Sequence, residues 1–324
     1  MEEAIVLGID IGGTYTKFGL VTRKGTILSK GRFTTGSKKP YREFEKQLAS
    51  EIKALITTLN PRQRIVAIGV GAPNANSYSG KMEQAVNFDW GDEVPLVSSI
   101  KKILDRTVAL ANDANASALG ELQFGMGKGL KHFVVLTLGT GLGSGIISNG
   151  ELLLGHNGMA GELGHVNVVR NGRQCNCGLQ GCLETYVSVT GMRRTIFELL
   201  AVMNVDSELR SISFEDMTGE IISDAAINGD PIALKAFEET AEFLGTQMAD
   251  TAAHLDPQAF ILLGGLTKAG DILIKPVIAA MERNLFNAYK GKVKVLMADA
   301  PSDHAILGAA ALAWREIVPT DSHS

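Results

Sequence analysis

The sequence predicts an α/β fold in which two halves of similar topology are joined around a cleft. Apolar runs of strand length alternate with segments whose apolar residues recur at helical spacing, which favours largely parallel sheets covered by helices. The order of strand, glycine-rich turn, strand, hairpin and strand also occurs twice, first from Ala4 and again from His132. A chain of 324 residues is long enough for two domains with sizeable cores.

The first half begins with strands and continues as alternating helices and strands. Apolar runs between turn residues predict strands over residues 4–10, 14–21, 26–33, 64–70 and 107–111. Helices are expected over residues 41–59 and 98–105. In the first of these helices Phe44, Leu48 and Ile52 share one face, and Pro61 follows its end.

The second half repeats this layout and then becomes helical. Strands are expected over residues 132–138, 144–148, 151–154 and 259–263. Helices are expected over residues 231–254, 271–288 and 305–317. The predicted small domain comprises residues 1–113 plus 303–324, and the predicted large domain comprises residues 114–302.

The composition is that of an ordinary globular protein, with 45% hydrophobic and 20% charged residues. A formal net charge of −4 argues against a broad nucleic-acid surface, so no nucleic-acid partner is expected. No apolar run reaches the roughly 18 residues of a membrane span, and the N-terminus lacks an export signal. Three cysteines cannot all pair as disulfides, which favours a cytoplasmic location without membrane contact.

All three cysteines lie in one short polar stretch, and a histidine lies just upstream. His165, Cys175, Cys177 and Cys182 make a closed tetrahedral ligand set for Zn²⁺. Because such a set leaves no open position for water, the zinc is expected to be structural. The alternative is three unrelated buried thiols and a loop histidine.

The turn between the first two strands, residues 10–17, is expected to bind phosphate. Gly12 and Gly13 let backbone amides approach phosphate oxygens, and the hydroxyls of Thr14 and Thr16 add donors. Asp10 is expected to hold the hydration shell of Mg²⁺, and Lys17 to meet a phosphate. A plain hairpin turn is the alternative interpretation.

The matching turn of the second half contains Gly139, Thr140 and Gly141. Two such turns facing each other would hold a polyphosphate from both sides. A third glycine pair, Gly264 and Gly265, follows a buried strand and would let a flat adenine base lie against the backbone. The start of a helix is an equal alternative for this pair.

Asp113 follows a predicted strand at the point where a helix begins. It is either the N-cap of that helix or a general base that takes a proton from an attacking hydroxyl. Phosphoryl transfer needs a positioned hydroxyl, neutralised charge and exclusion of water, and the two turns with Asp113 supply these parts.

The glycine turns, the run 161–165 and the cysteine cluster together resemble the ROK family of repressors, open reading frames and sugar kinases. The resemblance extends from Asp10 to the last helix. It implies a two-domain actin-like ATPase fold, which is ribonuclease H-like, with an interdomain cleft. The segments 71–76 and 86–90 look most like the glucokinase branch of this family.

The resemblance also implies roles for individual residues. The residues that match the family's phosphate contacts are Gly12, Gly13, Thr14, Thr140 and Gly141. The residues that match its sugar contacts are Asn87, Asn112, Glu162, His165 and Glu184. Asp113 matches the catalytic base. In this pattern one imidazole nitrogen of His165 binds zinc and the other faces the sugar.

The implied activity is ATP-dependent phosphorylation of a hexose at its 6-hydroxyl, most simply glucose, with ATP, Mg²⁺ and structural Zn²⁺ and with a homodimeric assembly. N-acetylmannosamine, N-acetylglucosamine and mannose remain alternative acceptors, because contacts to one hydroxyl decide between them. The rival functional class is a non-catalytic, sugar-responsive regulator. Family repressors carry a helix-turn-helix module before the first glycine turn, for which a turn starting at Asp10 leaves no room.

Overall fold

The computed structural model describes residues 2–85, 88–298 and 303–317, and the chain divides into two compact units. The first unit comprises Met1–Gly129, Leu152–Ala160 and Pro301–Ser324. The second unit comprises Leu130–Glu151 and Gly161–Ala300. Within the described part of the chain, no helix combines the length and the apolar character needed to cross a membrane.

A five-stranded sheet forms the centre of the first unit, in the order β3-β2-β1-β4-β8. Its strands are β1 (Glu3–Ile11), β2 (Tyr15–Thr22), β3 (Ile27–Thr34), β4 (Gln63–Ala72) and β8 (Thr107–Asn112). A small second sheet joins β5 (Ala75–Asn76), β6 (Lys81–Glu83) and β7 (Glu93–Val94). The helices are α1 (Tyr41–Ile56), α2 (Leu96–Ile103), α3 (Asp113–Phe124) and α9 (His304–Ile317).

Both faces of the first sheet are covered. On one face, Phe44, Leu48 and Ile52 of α1 are buried with the strands in a single apolar cluster, which confirms the predicted helix face. On the other face α9 approaches the strand backbone closely, because β4 carries Gly69 where a side chain would overlap the carbonyl oxygen of Ala309. The parallel strands β1, β4 and β8 are therefore buried on both sides, as their continuous apolar sequences require.

The second unit has a sheet of the same design, in the order β11-β10-β9-β12-β13. Its strands are β9 (Phe133–Leu138), β10 (Leu142–Ser148), β11 (Glu151–Leu152), β12 (Ala259–Leu263) and β13 (Lys294–Met297). Its helices are α4 (Glu184–Val187), α5 (Val189–Val202), α6 (Gly219–Ile227), α7 (Pro231–Leu255) and α8 (Asp271–Asn284). Residues 163–165, 208–211 and 265–269 form short 3₁₀ turns.

The two sheets confirm the predicted α/β fold and its internal repeat. In each, a central strand pairs antiparallel with the next strand of the chain and parallel with a later one. This is the strand arrangement of the ribonuclease H-like, actin-like ATPase fold. Each central strand, β1 or β9, ends at a glycine turn.

The observed division differs from the predicted domain boundary after Asp113. Helix α3 belongs to the first unit, because it packs against α9 so closely that a side chain on Gly120 would lie 3.0 Å from the Cα of Gly308. The short helix α4 lies where no element was predicted, and so do the longer helices α5 and α6. The starts of α5 and α6 carry ordinary signals, since Ser188 and Thr218 each accept a hydrogen bond from the first turn.

The contact between β4 and α9 predicts a stability difference between two glycines. Gly69→Ala should lower the free energy of unfolding by about 1 to 3 kcal/mol, because the new methyl group overlaps the backbone of α9. Gly13→Ala is the control, since a side chain there meets no described atom within 4 Å. Urea denaturation of both variants measures the difference, and equal stabilities would contradict the packing.

Candidate active site

The carboxyl ends of β1, β4 and β8 bring the candidate catalytic residues of the first unit together. Asp10 of β1 pairs with Gly71 of β4, and the next residue along, Ala72, pairs with Asn112 of β8. A side chain on Gly71 would lie 3.7 Å from both the Oδ1 of Asp10 and the Cα of Asp113. The glycine therefore leaves space between the two acids.

Asn112 and Asp113 occupy the N-cap and the first position of α3. Asn112 is the N-cap, and its Oδ1 accepts the N–H of Ala114 at 2.8 Å. Asp113 is the first residue of the helix, with an Oδ1 that also lies 2.8 Å from the Ala114 nitrogen. The capping role proposed as the alternative for Asp113 thus belongs to Asn112.

Burial raises the pKa of both Asp10 and Asp113, and their neighbouring groups modify the two shifts differently. Burial, followed by the negative charge of Asp113, raises the pKa of Asp10 to about 7, while the charge of Lys17 opposes the shift. Burial also raises the pKa of Asp113, against the lowering effect of the Ala114 N–H. Asp113 nevertheless remains exposed at its outer edge. It is surrounded by protein yet reachable, which a general base requires.

Thr35 holds the first glycine turn in place, and its role had no signal in the sequence pattern. Its hydroxyl donates to the carbonyl oxygen of Gly12 at 2.7 Å, and its N–H donates to the carbonyl oxygen of Thr14 at 2.9 Å. Thr16 is fully buried with its hydroxyl 2.9 Å from that of Thr35, so the prediction that Thr16 serves as a phosphate donor is wrong. Gly13 and Thr14 are exposed.

The second glycine turn lies against the ends of two strands in the second unit. Gly264 follows β12 with φ of +115°, and a side chain there would overlap the backbone of Leu138 at the end of β9. The close approach explains both the glycine and its left-handed backbone. The pair Gly264 and Gly265 is therefore adjacent to the turn that begins at Gly139.

Helix α6 adds residues that sequence reasoning missed. The hydroxyl of Ser223 donates to the carbonyl oxygen of Gly265 at 3.3 Å. Glu220 lies beside Gly265 and forms an ion pair with Lys268 at 3.7 Å. A surface for a flat base at Gly265 would thus be bordered by α6. The available signal was the run Thr218–Gly219–Glu220, which is a helix start next to an acid.

The predicted metal ligands form one cluster. The ligand atoms of His165, Cys175, Cys177 and Cys182 all lie within 4.8 Å of one another. The sulfurs of Cys177 and Cys182 are 3.7 Å apart, and the Cys175 sulfur lies 3.8 Å from the Nδ1 of His165. Two thiolates bound to one Zn²⁺ at about 2.3 Å and at a tetrahedral angle are about 3.8 Å apart. The donor set and its spacing therefore fit zinc.

The backbone of this knuckle, residues 165–182, depends on its glycines. Gly178 and Gly181 have positive φ, of +93° and +77°. At Gly181 a side chain would also overlap the carbonyl oxygen of Val169. Burial raises the pKa of the Cys182 thiol to about 12, so a bound cation is what would keep this sulfur as a thiolate.

The acids that flank the knuckle lie where the sequence placed them. The Nε2 of His165 points toward Glu162, 4.0 Å from its carboxylate, while its Nδ1 faces the cysteines. The Nδ1 contact fits the metal role predicted for His165, and the contact of its Nε2 with a sugar stays a prediction. Glu184 begins α4, and its Oε1 lies 3.8 Å from the sulfur of Cys175. Asn87, the other predicted sugar contact, lies outside the described residues.

The site residues thus form two groups. Asp10, Asn112, Asp113 and the first glycine turn belong to the first unit, and the second turn, the knuckle, Glu162 and Glu184 belong to the second. A family model described as the ROK family matches residues 6–316, nearly the whole chain. The chain belongs to the ROK family. The metal-ligand pattern and both glycine turns lie inside the matched region of this ROK protein.

Individual relatives agree with this assignment. A glucokinase of Streptomyces coelicolor is 35% identical over 315 residues, which is 95% of this chain and 97% of that protein. The crystal structure of a ROK glucokinase from Streptomyces griseus in complex with glucose and AMPPNP has a TM-score of 0.81 at 34% identity, covering 96% and 99% of the two chains. A ROK transcriptional regulator, a homologue of the E. coli MLC protein, has a TM-score of 0.86 at 25% identity, covering 96% of this chain and 78% of that one.

The knuckle geometry predicts the effect of losing one ligand. Cys177→Ser should reduce bound zinc from about one ion per chain to near zero, because three remaining ligands no longer close the tetrahedron. Sugar affinity should fall with it, since the Cys175 and His165 contacts to Glu184 and Glu162 lose their anchor.

Zinc analysis of purified protein and a sugar-binding titration measure these two effects. Leu179→Ser is the matched control, because Leu179 is an exposed, non-ligand residue of the same loop. A Cys177→Ser protein that keeps its zinc would contradict the ligand assignment. One that loses zinc but binds sugar normally would contradict the link between metal and sugar.

Proposed function

We propose that this protein is an ATP-dependent hexose kinase that transfers the γ-phosphoryl group of Mg-ATP to the 6-hydroxyl of glucose. The observation that carries the proposal is Asp113, a reachable acid of raised pKa next to Asp10 and the first glycine turn. The glucokinase relatives in the same family support glucose as the acceptor.

In the proposed reaction Asp113 accepts the proton of the sugar 6-hydroxyl. The oxygen then forms a bond to the γ-phosphorus, the bond from that phosphorus to the β-phosphate bridge oxygen breaks, and ADP leaves. The raised pKa of Asp113 makes its carboxylate a stronger base than an ordinary aspartate. Asn112 uses its Oδ1 for the cap of α3, so its amide N–H groups are what it offers to the sugar.

The nucleotide would be held by the glycine turns. Gly12, Gly13, Thr14 and Lys17 are the contacts of the first unit, and Gly139, Thr140, Gly141, Gly264 and Gly265 are those of the second. Asp10 would hold the hydration shell of Mg²⁺, whose charge supports that of the phosphates. The charge of Lys17 opposes the rise in the pKa of Asp10 that burial and Asp113 cause, which favours the charged carboxylate that a cation needs.

The sugar would be held by paired hydrogen bonds from carboxylates, amides and one imidazole. Glu162, His165 and Glu184 supply them from the second unit, with Asn112, Asp113 and Asn87 from the first. A site built this way penalises an epimer that leaves one buried polar group without its partner. In this proposal zinc takes no chemical part and holds the loop that carries Glu162, His165 and Glu184.

The proposal extends to a homodimer in the cytoplasm. Reduced thiols in the knuckle are supported by the three free cysteines, because metal binding requires them unoxidised. Sedimentation of the purified protein with and without glucose measures the assembly, and a monomer under both conditions would refute the dimer.

The kinase mechanism predicts a large effect of one amide substitution. Asp113→Asn should lower kcat by roughly 10²- to 10⁴-fold, because asparagine cannot accept the proton. Asp105→Asn is the matched control, since Asp105 is exposed and precedes the same strand that Asp113 follows. Glucose-dependent ADP release measures both. Full activity in Asp113→Asn would rule out this mechanism, and no ADP release with any hexose would favour the sugar-responsive regulator.

The choice of acceptor has its own test. The ratio of kcat/KM for glucose over N-acetylmannosamine should exceed about 10²-fold, because polar groups arranged for one set of hydroxyls are left unpaired by the other sugar. N-acetylglucosamine and mannose complete the panel under the same conditions. A preference for either N-acetyl sugar would keep the kinase and the role of Asp113 but replace the substrate.

A further inference from the structure

We propose that Glu184 is a positioning residue for the nucleotide: it holds the second glycine turn in shape and so couples the metal knuckle to phosphate binding. This role is separate from its expected contact with the sugar. It rests on the proposed function, because it assumes that residues 139–141 bind phosphate.

The carboxylate of Glu184 lies directly against the glycine turn. Its Oε2 accepts the backbone N–H of Leu142 at 2.8 Å, although the two residues are 42 positions apart in the sequence. A side chain on Gly141 would overlap this same oxygen. Residue 141 must therefore lack a side chain for the carboxylate to reach the turn, which explains that glycine independently of any phosphate.

The other carboxylate oxygen faces the metal knuckle. The Oε1 of Glu184 lies 3.8 Å from the sulfur of Cys175. Glu184 also follows the ligand Cys182 by two residues, and the intervening Leu183 is buried, with its N–H donating to Val166 at 2.9 Å. One side chain thus contacts both the knuckle and the turn, which gives the proposed coupling a physical path.

The start of α5 secures the rest of the turn. The N–H of Val189 donates to the carbonyl oxygen of Gly139 at 2.9 Å, and the hydroxyl of Thr190 donates to that of Thr140 at 2.8 Å. The carbonyl oxygen of Gly141 accepts the N–H of Gly139 at 3.1 Å. All three carbonyl oxygens of the turn are therefore paired within the protein.

This pairing has a consequence for an anionic ligand. Unpaired carbonyl oxygens that face a phosphate would repel it, whereas carbonyl oxygens that accept hydrogen bonds within the protein are held in other directions. Glu184 contributes as a hydrogen-bond acceptor to a backbone N–H, and its negative charge alone would oppose nucleotide binding. The two contributions have opposite signs, so substitutions can separate them.

The experiment measures the affinity of a non-hydrolysable ATP analogue with Mg²⁺ in the absence of sugar, by calorimetry on the full chain. Glu184→Ala should weaken binding by about ten-fold, because a charged hydrogen bond to the turn is lost. Glu184→Gln should bind the analogue at least as tightly as the wild type, since its amide oxygen can accept the same N–H and the opposing negative charge is gone. Thr190→Val should weaken binding independently, by removing the bond to Thr140.

The control is Glu162→Ala, the acid that flanks the other end of the knuckle and contacts His165. It should weaken sugar binding and leave the affinity for the nucleotide analogue unchanged. Zinc content is measured for every variant, and Cys177→Ser should reproduce the nucleotide defect when its zinc is lost.

The outcomes separate this inference from the proposed function. If the wild-type protein binds no nucleotide, the proposed function fails. If it does bind and Glu184→Ala retains zinc, an affinity within two-fold of wild type or tighter overturns the positioning role. If Glu184→Ala loses zinc, the other two variants decide. The inference is overturned if Thr190→Val binds the nucleotide analogue normally. It is also overturned if Glu184→Gln keeps its zinc and binds the analogue as weakly as Glu184→Ala.

Discussion

The candidate sites depend on one constraint, which is the parallel pairing of strands whose carboxyl ends lie side by side. Pairing of β1 with β4 and of β4 with β8 aligns their carboxyl ends, so Asp10, Gly71 and Asn112 meet although they are far apart in the chain. The pairing of β9 with β12 does the same for the two glycine segments of the second unit, at Gly139 and Gly264. Because helices cover the faces of such sheets, the strand ends are where backbone groups remain available to a ligand. In both units candidate site residues therefore lie at the carboxyl ends of parallel strands.

Close approach of backbone to backbone, or of backbone to a carboxylate, decides most of the glycine positions in these sites. A side chain at Gly141 would overlap Glu184, and one at Gly264 would overlap Leu138. Gly13 is different, because a side chain there would meet no described atom within 4 Å. The sequence alone assigns all these glycines to nucleotide binding, Gly13 and Gly141 to the phosphates and Gly264 to the base, whereas the structure separates those needed for protein packing from one that stays open. A glycine in such a motif is therefore required either for close packing within the protein or for open space at the turn, and only its contacts distinguish the two.

Local signals were enough to predict the elements that carry them. Helix α7 was expected to start at residue 231, and it does, because Asp230 caps it and Pro231 fits its first turn. The metal cluster was also predictable from the sequence, since its candidate ligands lie close together in the chain. For helix α3 only the start at Asp113 was expected and not its length, because its residues are buried on nearly all sides and it lacks an apolar stripe. The bonds from Thr35 to Gly12 and from Leu142 to Glu184 join distant segments, and no spacing in the sequence encodes them.

The knuckle illustrates why a metal, and not an apolar core, would suit a loop beside the proposed sugar site. Between His165 and Leu183 most residues are exposed, and the buried ones are chiefly the ligands Cys175 and Cys182. Burying more apolar surface there would remove the polar groups that a sugar needs, yet an unanchored glycine-rich loop pays a large cost in backbone entropy. Four ligands on one ion would resolve this conflict, since the cross-link would constrain the loop from within without burying more apolar surface. The same cross-link would also hold Glu184, whose Oε2 accepts the N–H of Leu142. In the proposed function, an anchor for the sugar loop would therefore constrain the phosphate turn as well, because the Glu184 side chain contacts both.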